Sequence, residues 1–368
     1  MRKKTLPAGV EPAWSTWLHH KAAASGTPLA GNFELTARCN FRCKMCYVHR
    51  DTSPAGELSA QQWIELGRQS AQRGMVFLLL TGGEPLLRRD FREIYTGLKK
   101  LGLLLSINTN GYLLDGDMID FLKKDPPLRI NVSLYGGSNE DYEALCGIPA
   151  FDRVAEHIRM AKAAGLQVRL NSTITPYNAG AVESIHRFAR ENGLHVKGTS
   201  YMFPPVRVNG CQYGQAPHRF TAEAAAEHML LWREQTVTPE QLSASCIPWN
   251  GDEEDITCGR GEPMHCRAGK TAFWITWDGR MLPCGMFPGE GFSLAELGFD
   301  GAWEGLRTAC AAIRMPAACT DCRWRAVCPA CAASCLTETG GFDRPPEYIC
   351  RMTKYLDRIT REKYPPKE

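Results

Sequence analysis

No stretch of this 368-residue chain approaches the roughly 18 apolar residues that a membrane-spanning helix needs. The amino terminus is equally unsuited to export, because Met1-Arg-Lys-Lys runs into Pro, Gly and Glu with no apolar segment behind it. An excess of one charge is missing too. With a formal net charge of +3, the composition gives neither nucleic acid nor an anionic membrane a reason to bind. Nine histidines occur, none in a His-x3-His pair suited to holding a metal on a helix. These absences point to a soluble protein of the reducing cytoplasm. At 44% hydrophobic residues, the chain can build a substantial core in one large or two ordinary domains.

Sixteen cysteines are many for such a protein, and in a reducing compartment clustered cysteines more often bind metal than form disulfides. Cys39, Cys43 and Cys46 are spaced Cys-x3-Cys-x2-Cys, and Tyr47 follows. Three thiolates can hold three irons of a cubane and leave the fourth iron without a protein ligand, whereas closed clusters take four cysteines. Zinc is the alternative, but it prefers four ligands in Cys-x2-Cys knuckles and suits this spacing poorly. The segment Cys39-Asn-Phe-Arg-Cys43-Lys-Met-Cys46-Tyr47 resembles the signature of radical S-adenosylmethionine (radical SAM) enzymes. That resemblance implies a [4Fe-4S] cluster whose open iron chelates S-adenosylmethionine, which one electron cleaves to a 5′-deoxyadenosyl radical. The oxygen sensitivity of exposed clusters adds the expectation of an anaerobic host.

From about residue 32 to 200, apolar strand-like runs alternate with amphipathic stretches, the pattern of βα units in a parallel α/β sheet. Six strands are expected, at 33–36, 75–80, 103–108, 128–134, 167–174 and 194–200. Ser59 with Gln62, and Asp90 with Glu93, read as capping boxes. Gly74, Gly102, Gly165 and Gly193 stand where left-handed helix ends are expected. Propensity alone leaves an open doubly wound sheet as an alternative. The family resemblance implies instead a partial (βα)6 TIM-like barrel.

Ligands of parallel α/β folds gather at the C-terminal ends of strands, and four motifs fall there. Thr81-Gly82-Gly83-Glu84-Pro85 offers close backbone approach and an acceptor for an ammonium group, and it resembles the family's GGEP motif for the methionine amine. Asn108-Thr109-Asn110-Gly111 supplies groups for a ribose or carboxylate. Ser133-Leu134-Tyr135-Gly136 departs from the frequent Ser-Leu-Asp-Gly form, so Tyr135 cannot serve as the Asp would. Asn171-Ser172-Thr173 completes a polar rim.

After residue 200 the composition shifts. A Pro- and Gly-rich stretch, a helix expected at 221–233 and a turn-rich acidic stretch at 245–263 lead to a second cysteine field. It contains Cys266-x12-Gly279-x4-Cys284, then Cys319-x2-Cys322-x5-Cys328-x2-Cys331-x3-Cys335, and Cys350. Between them, the run from Phe273 to Arg280 reads as a β-hairpin with an Asp-Gly turn, which would bring Cys266 and Cys284 together. The arrangement resembles the SPASM extension of radical SAM enzymes, which carries up to two auxiliary [4Fe-4S] clusters. By that resemblance Cys319, Cys322, Cys328 and Cys350 ligate an outer cluster. Cys266, Cys284 and either Cys331 or Cys335 ligate an inner one, with Cys331 favoured. Cys258 is the candidate fourth inner ligand, and without it that cluster keeps an open iron. The zinc alternative applies here as well, since Cys-x2-Cys pairs are zinc-like. Cys146, Cys211, Cys246 and Cys310 lack ligand spacing and read as structural.

The expected organisation is an N-terminal segment (1–30), a radical SAM barrel (31–235) and a SPASM domain (236–368). The resemblance implies a peptide-modifying maturase acting on a ribosomal precursor peptide and forming thioether or carbon–carbon crosslinks. Alternatives are peptide epimerisation, sulfatase-maturase-like oxidation of Ser or Cys, small-molecule dehydrogenation, and a non-enzymatic iron–sulfur electron carrier. The expected electron source is a flavodoxin or ferredoxin. Too few residues precede Cys39 for a fused leader-recognition domain of the usual kind, so leader binding is expected to need a separate leader-binding protein or the SPASM surface.

Overall fold

The computed structural model describes residues 13–47, 56–206, 218–247 and 260–366. Six parallel strands, β1 (Ala30–Glu34), β2 (Phe77–Thr81), β3 (Leu104–Thr109), β4 (Arg129–Ser133), β5 (Val168–Thr173) and β6 (Val196–Thr199), follow one another in sheet order as in sequence. Helices between them cover the outer face. β7 (Arg260–Pro263) forms a small sheet with β11 (Arg314–Pro316), while β8 (Ala272–Ile275), β9 (Arg280–Leu282) and β10 (Phe292–Ser293) join the main sheet. The six expected strands all form, and the β1 to β6 order is that of a partial barrel.

Local chemistry explains the element ends. Ser59 caps the helix Ala60–Gln72 with Gln62 closing a capping box, and Gly74, Gly102, Gly165 and Gly193 all have positive φ, where a Cβ would be strained. The expected box at Asp90 and Glu93 does not form. Arg88 is nearly buried and takes both carboxylate oxygens of Asp90 (2.9 and 2.7 Å), while Glu93 accepts from Gln61 (2.8 Å). A buried guanidinium needs its counter-charge more than the helix end needs a cap. Thr221 caps the helix Ala222–Glu234, close to the expected start.

The hairpin is not confined to a separate layer. β8 pairs in parallel with β1, so the Asp278-Gly279 turn and its strands extend the barrel sheet on the edge opposite β6. Asn32 donates to the Phe273 carbonyl (2.9 Å) and the Trp274 indole donates to Glu34 (2.8 Å) across this seam. Phe273 also packs edge-on against Phe299 and Trp303. One continuous core therefore runs from Phe33 and Trp63 through Phe273 to Trp303. This seam fixes the cysteine-rich region beside the barrel mouth.

Candidate active site

The loop after β1 is held at the mouth by its own backbone. Leu35 N–H donates to Thr81 (2.8 Å), Gly83 N–H to Thr36 (2.7 Å) and Glu84 N–H to Arg38 (2.9 Å), lacing the cysteine loop to the segment after β2. A Cβ on Gly83 would lie 2.3 Å from the Arg38 carbonyl oxygen, and one on Gly82 2.6 Å from that of Thr36. Both glycines are thus required by the contact between the two loops. Inside the triplet, Phe41 is buried against Tyr112 and Tyr142, and Arg42 and Lys44 N–H donate to Cys146 and Leu145 (both 2.9 Å). The loop is pinned on both sides.

Cys39, Cys43, Cys46 and Tyr47 line one cavity of about 530 Å³, together with Gly82, Gly83, Asn108, Asn110, Ser133 and Asn171. Ten residues named from sequence motifs at the ends of five strands, β1 to β5, thereby meet in a single chamber. Period-two alternation sorts the last motif: Asn171 and Thr173 face the chamber, while Ser172 is buried behind it. Asn110 donates to Cys39 Sγ (3.7 Å) and to Asn40 Oδ1 (2.8 Å), and Phe41 N–H donates to Cys39 Sγ (3.4 Å). These donors favour a thiolate at Cys39.

Glu84 and Pro85 lie beneath the chamber wall. Glu84 is fully buried and accepts from Thr109 Oγ1 (2.8 Å), Leu86 N–H (3.1 Å) and Asn110 N–H (2.7 Å), so it ties the end of β2 to that of β3. Burial pushes its carboxyl up to about 7 despite these donors. Pro85 opens a short 3-10 turn and is also buried. Tyr135 lines the chamber; burial, then the charge of Cys43, pushes its phenol well above the usual value.

Sequence motifs missed the chamber's far wall. Asn131, Thr199, Tyr201, Met202, Phe203, Met229, Met286, Pro329 and Met352 complete the lining. Asn131 was discoverable from strand alternation with Ser133; the methionines carry no motif. Five methionines, counting Met45, give this chamber an adaptable apolar surface. No Asp, Glu, His, Lys or Arg lines it among the described residues.

The second cysteine field divides in two. Cys319, Cys322, Cys328 and Cys350 share a cavity of about 70 Å³ with Arg325 and Lys354, and Thr353 donates to Cys328 Sγ (3.7 Å). Four thiolates with two cations fit the donor set of a cubane. Cys284 is pushed up to about 11 by burial and then by the charges of Cys331 and Cys266, and Cys331 also raises Cys266. Cys331 is the N-cap residue of the helix Ala332–Thr339. Cys335 is buried on that helix; burial, then the neighbouring thiols led by Cys319, pushes it up to about 12. Cys258 and Cys211 lie outside the described residues. Cys146 and Cys310 are buried in the core, and Cys246 is half-buried with its thiol on the Leu242 carbonyl. No three His, Cys, Asp or Glu side chains are gathered closely enough for a single metal ion among the described residues.

The residues at the mouth fit a cluster with bound S-adenosylmethionine, since Asn40 Nδ2 is buried there with no protein partner and Cys39 faces two donors. Residues 33–189 match the radical SAM superfamily. The chain carries a radical SAM domain. Membership implies a [4Fe-4S] cluster and S-adenosylmethionine. It is 27% identical over 353 residues to the "AdoMet-dependent heme synthase" of Methanosarcina barkeri (strain Fusaro / DSM 804), covering 90% of this chain and 99% of that protein. It is 37% identical over 173 residues to a "Probable GTP 3',8-cyclase" of Saccharolobus islandicus (strain M.14.25 / Kamchatka #1), a match spanning 46% of this chain and 56% of the relative. Its fold is similar to that of Streptococcus suis SuiB bound to precursor peptide SuiA (TM-score 0.63, 17% identity, 95% of this chain and 84% of that one). It is also similar to anSMEcpe with bound AdoMet and Kp18Cys peptide (TM-score 0.68, 15% identity, 92% and 98%). No helix among the described residues is long and apolar enough to cross a membrane.

Proposed function

We propose that this radical SAM enzyme modifies a ribosomally made peptide by oxidative crosslinking, with auxiliary [4Fe-4S] clusters in its cysteine-rich region. The observation that carries the reading is the continuity of one chamber, from Cys39, Cys43 and Cys46 to Met286, Pro329 and Met352 beside the second cysteine field. A peptide segment threaded there would touch both. The two peptide-bound neighbours of similar fold support a peptide substrate.

When bound, the radical cluster and S-adenosylmethionine supply a hydrogen-abstracting deoxyadenosyl radical, and an auxiliary cluster supplies a one-electron sink. The chain's own part is positional. Asn108, Asn110, Ser133 and Asn171 offer hydrogen bonds to the polar parts of the nucleotide. The methionine wall and Phe203 receive an uncharged side chain and keep water from the radical. A crosslink removes two hydrogens, one as an atom taken by the deoxyadenosyl group and one as a proton accompanying the electron lost. The electron source would be a flavodoxin or ferredoxin of the cytoplasm, with leader binding by a separate protein.

A second reading, a tetrapyrrole-modifying enzyme, follows from the full-length match to the Methanosarcina protein. Heme carries two carboxylates, which call for cations, and none lines the described chamber. The test is anaerobic incubation of reconstituted enzyme with S-adenosylmethionine, titanium(III) citrate and peptides encoded beside its gene. A product lighter by two hydrogens, formed with stoichiometric deoxyadenosine, is expected. Only uncoupled deoxyadenosine with every peptide, or turnover of an iron porphyrin instead, defeats the proposal.

A further inference from the structure

The chamber wall at Tyr201 is bound into a charge arrangement that the radical chemistry has not used. Tyr201 follows β6, lines the chamber, and its hydroxyl donates to Glu338 Oε1 (2.7 Å). Arg219 grips the same carboxylate with two bonds (2.8 and 3.0 Å) and stacks its guanidinium 4.0 Å over Tyr348. Both charged side chains are largely buried, with 14% of Arg219 and 8% of Glu338 exposed. Glu338 stands on the helix Ala332–Thr339 that Cys331 caps. A spacing of seven residues is about two turns, which returns Glu338 to the face of the helix that Cys331 begins. Burial, then the Glu338 charge, raises the Tyr201 phenol, with a smaller contribution from Cys331.

Burying an ion pair is costly, and a pair of well-packed apolar residues would often stabilise a fold as well. Its retention here has a use if a charged centre lies nearby. We propose that Arg219, Glu338 and Tyr201 are positioning residues that set the reduction potential of the inner auxiliary cluster held by Cys331, and that Tyr201 links that centre to the chamber. The inference rests on the auxiliary-cluster part of the proposed function and is independent of the substrate. In a low-dielectric interior, an anion beside a cluster disfavours the electron that reduces it, and a cation favours that electron. Tyr201 damps the anion by donating to it and presents its ring to whatever fills the chamber.

The test is an EPR-monitored redox titration of full-length, iron-reconstituted protein carrying Ala at Cys39, Cys43 and Cys46, so that auxiliary signals stand alone. Glu338→Gln should move the midpoint of one auxiliary centre to more positive potential. Arg219→Gln should move the same centre the opposite way, and the double variant should return it close to the parent. Arg219→Lys, which keeps the charge, should stay near the parent and guards against misfolding. The second auxiliary centre should move less in every variant. Shifts of one sign for both charge removals, equal shifts of both centres, or unmoved potentials in folded protein would each overturn the proposal, as would iron content too low for a second auxiliary cluster. A peptide that is never modified would defeat the proposed function and leave these potentials standing.

Discussion

The cysteines at the barrel mouth and those of the C-terminal region reach their sites by different routes. Cys39, Cys43 and Cys46 share one short loop, clamped to β2 and to the segment around Cys146 by backbone hydrogen bonds. In the second field, Cys266 and Cys284 flank a hairpin, Cys331 caps a helix, and Cys350 comes in on the helix Glu347–Lys363. The first site needs little more than a local loop on a parallel-sheet scaffold. The second closes several loops, each with an entropy cost that bound metal would offset. Metal should therefore matter far more to folding after residue 260 than before it.

Several changes would break or sharpen that contrast. The largest effect is expected from replacing Cys39, Cys43 and Cys46 together with Ala: cleavage of S-adenosylmethionine should be abolished while C-terminal iron remains, as deoxyadenosine and iron assays would reveal. Chelating iron from the intact protein should do the reverse to its structure, exposing the region after 260 to limited proteolysis while the β1 to β6 barrel resists. Loss of protection in both regions at once would end the distinction.

Gly83→Ala comes next. Its Cβ would meet the Arg38 backbone at 2.3 Å, and backbone cannot move aside cheaply, so a cost of about 1–3 kcal/mol is expected. Because the displaced carbonyl immediately precedes Cys39, the loss should appear as weakened S-adenosylmethionine binding by calorimetry as well as a lower melting temperature.

Glu84 gives a pH effect of similar size. Its folded carboxyl is pushed up to about 7 from an ordinary value of 4.5, so the folded state holds a proton that the unfolded chain releases. The protein should lose stability as pH rises from about 4.5 to 7, by on the order of 3 kcal/mol, and show no further loss from this group above that window. Glu84→Gln should flatten the slope in urea titrations across that range. The smallest effect is expected at Arg73, whose exposed pairs with Asp300 (2.7 Å) and Glu304 (3.4 Å) join the barrel to the helix Leu294–Ala312. Arg73→Ala should change stability by no more than about 0.5 kcal/mol, since solvent screens such pairs.

Much of the barrel was legible because its signals are local. Strand runs, the Ser59 capping box, the glycine helix ends and the motifs at strand ends each depend on residues close in sequence, and parallel-sheet geometry carries those ends to one rim. Asp90 misled because its partner, Arg88, is buried by tertiary packing. The adhesion of β8 to β1 was equally hidden, since a hairpin signal says nothing about which edge it will join.

The sequence by itself determined the chemistry: thiolate spacing and the order of polar motifs name the cofactor and the rim that surrounds it, because coordination and hydrogen bonding depend on atom types a fixed distance apart along the chain. Only the tertiary structure decided what stands opposite. Met202, Met229, Met286 and Met352 and the Tyr201–Glu338–Arg219 tie arise from segments far apart in sequence. Apolar packing brings such segments together without directional preference, so no local spacing announces it.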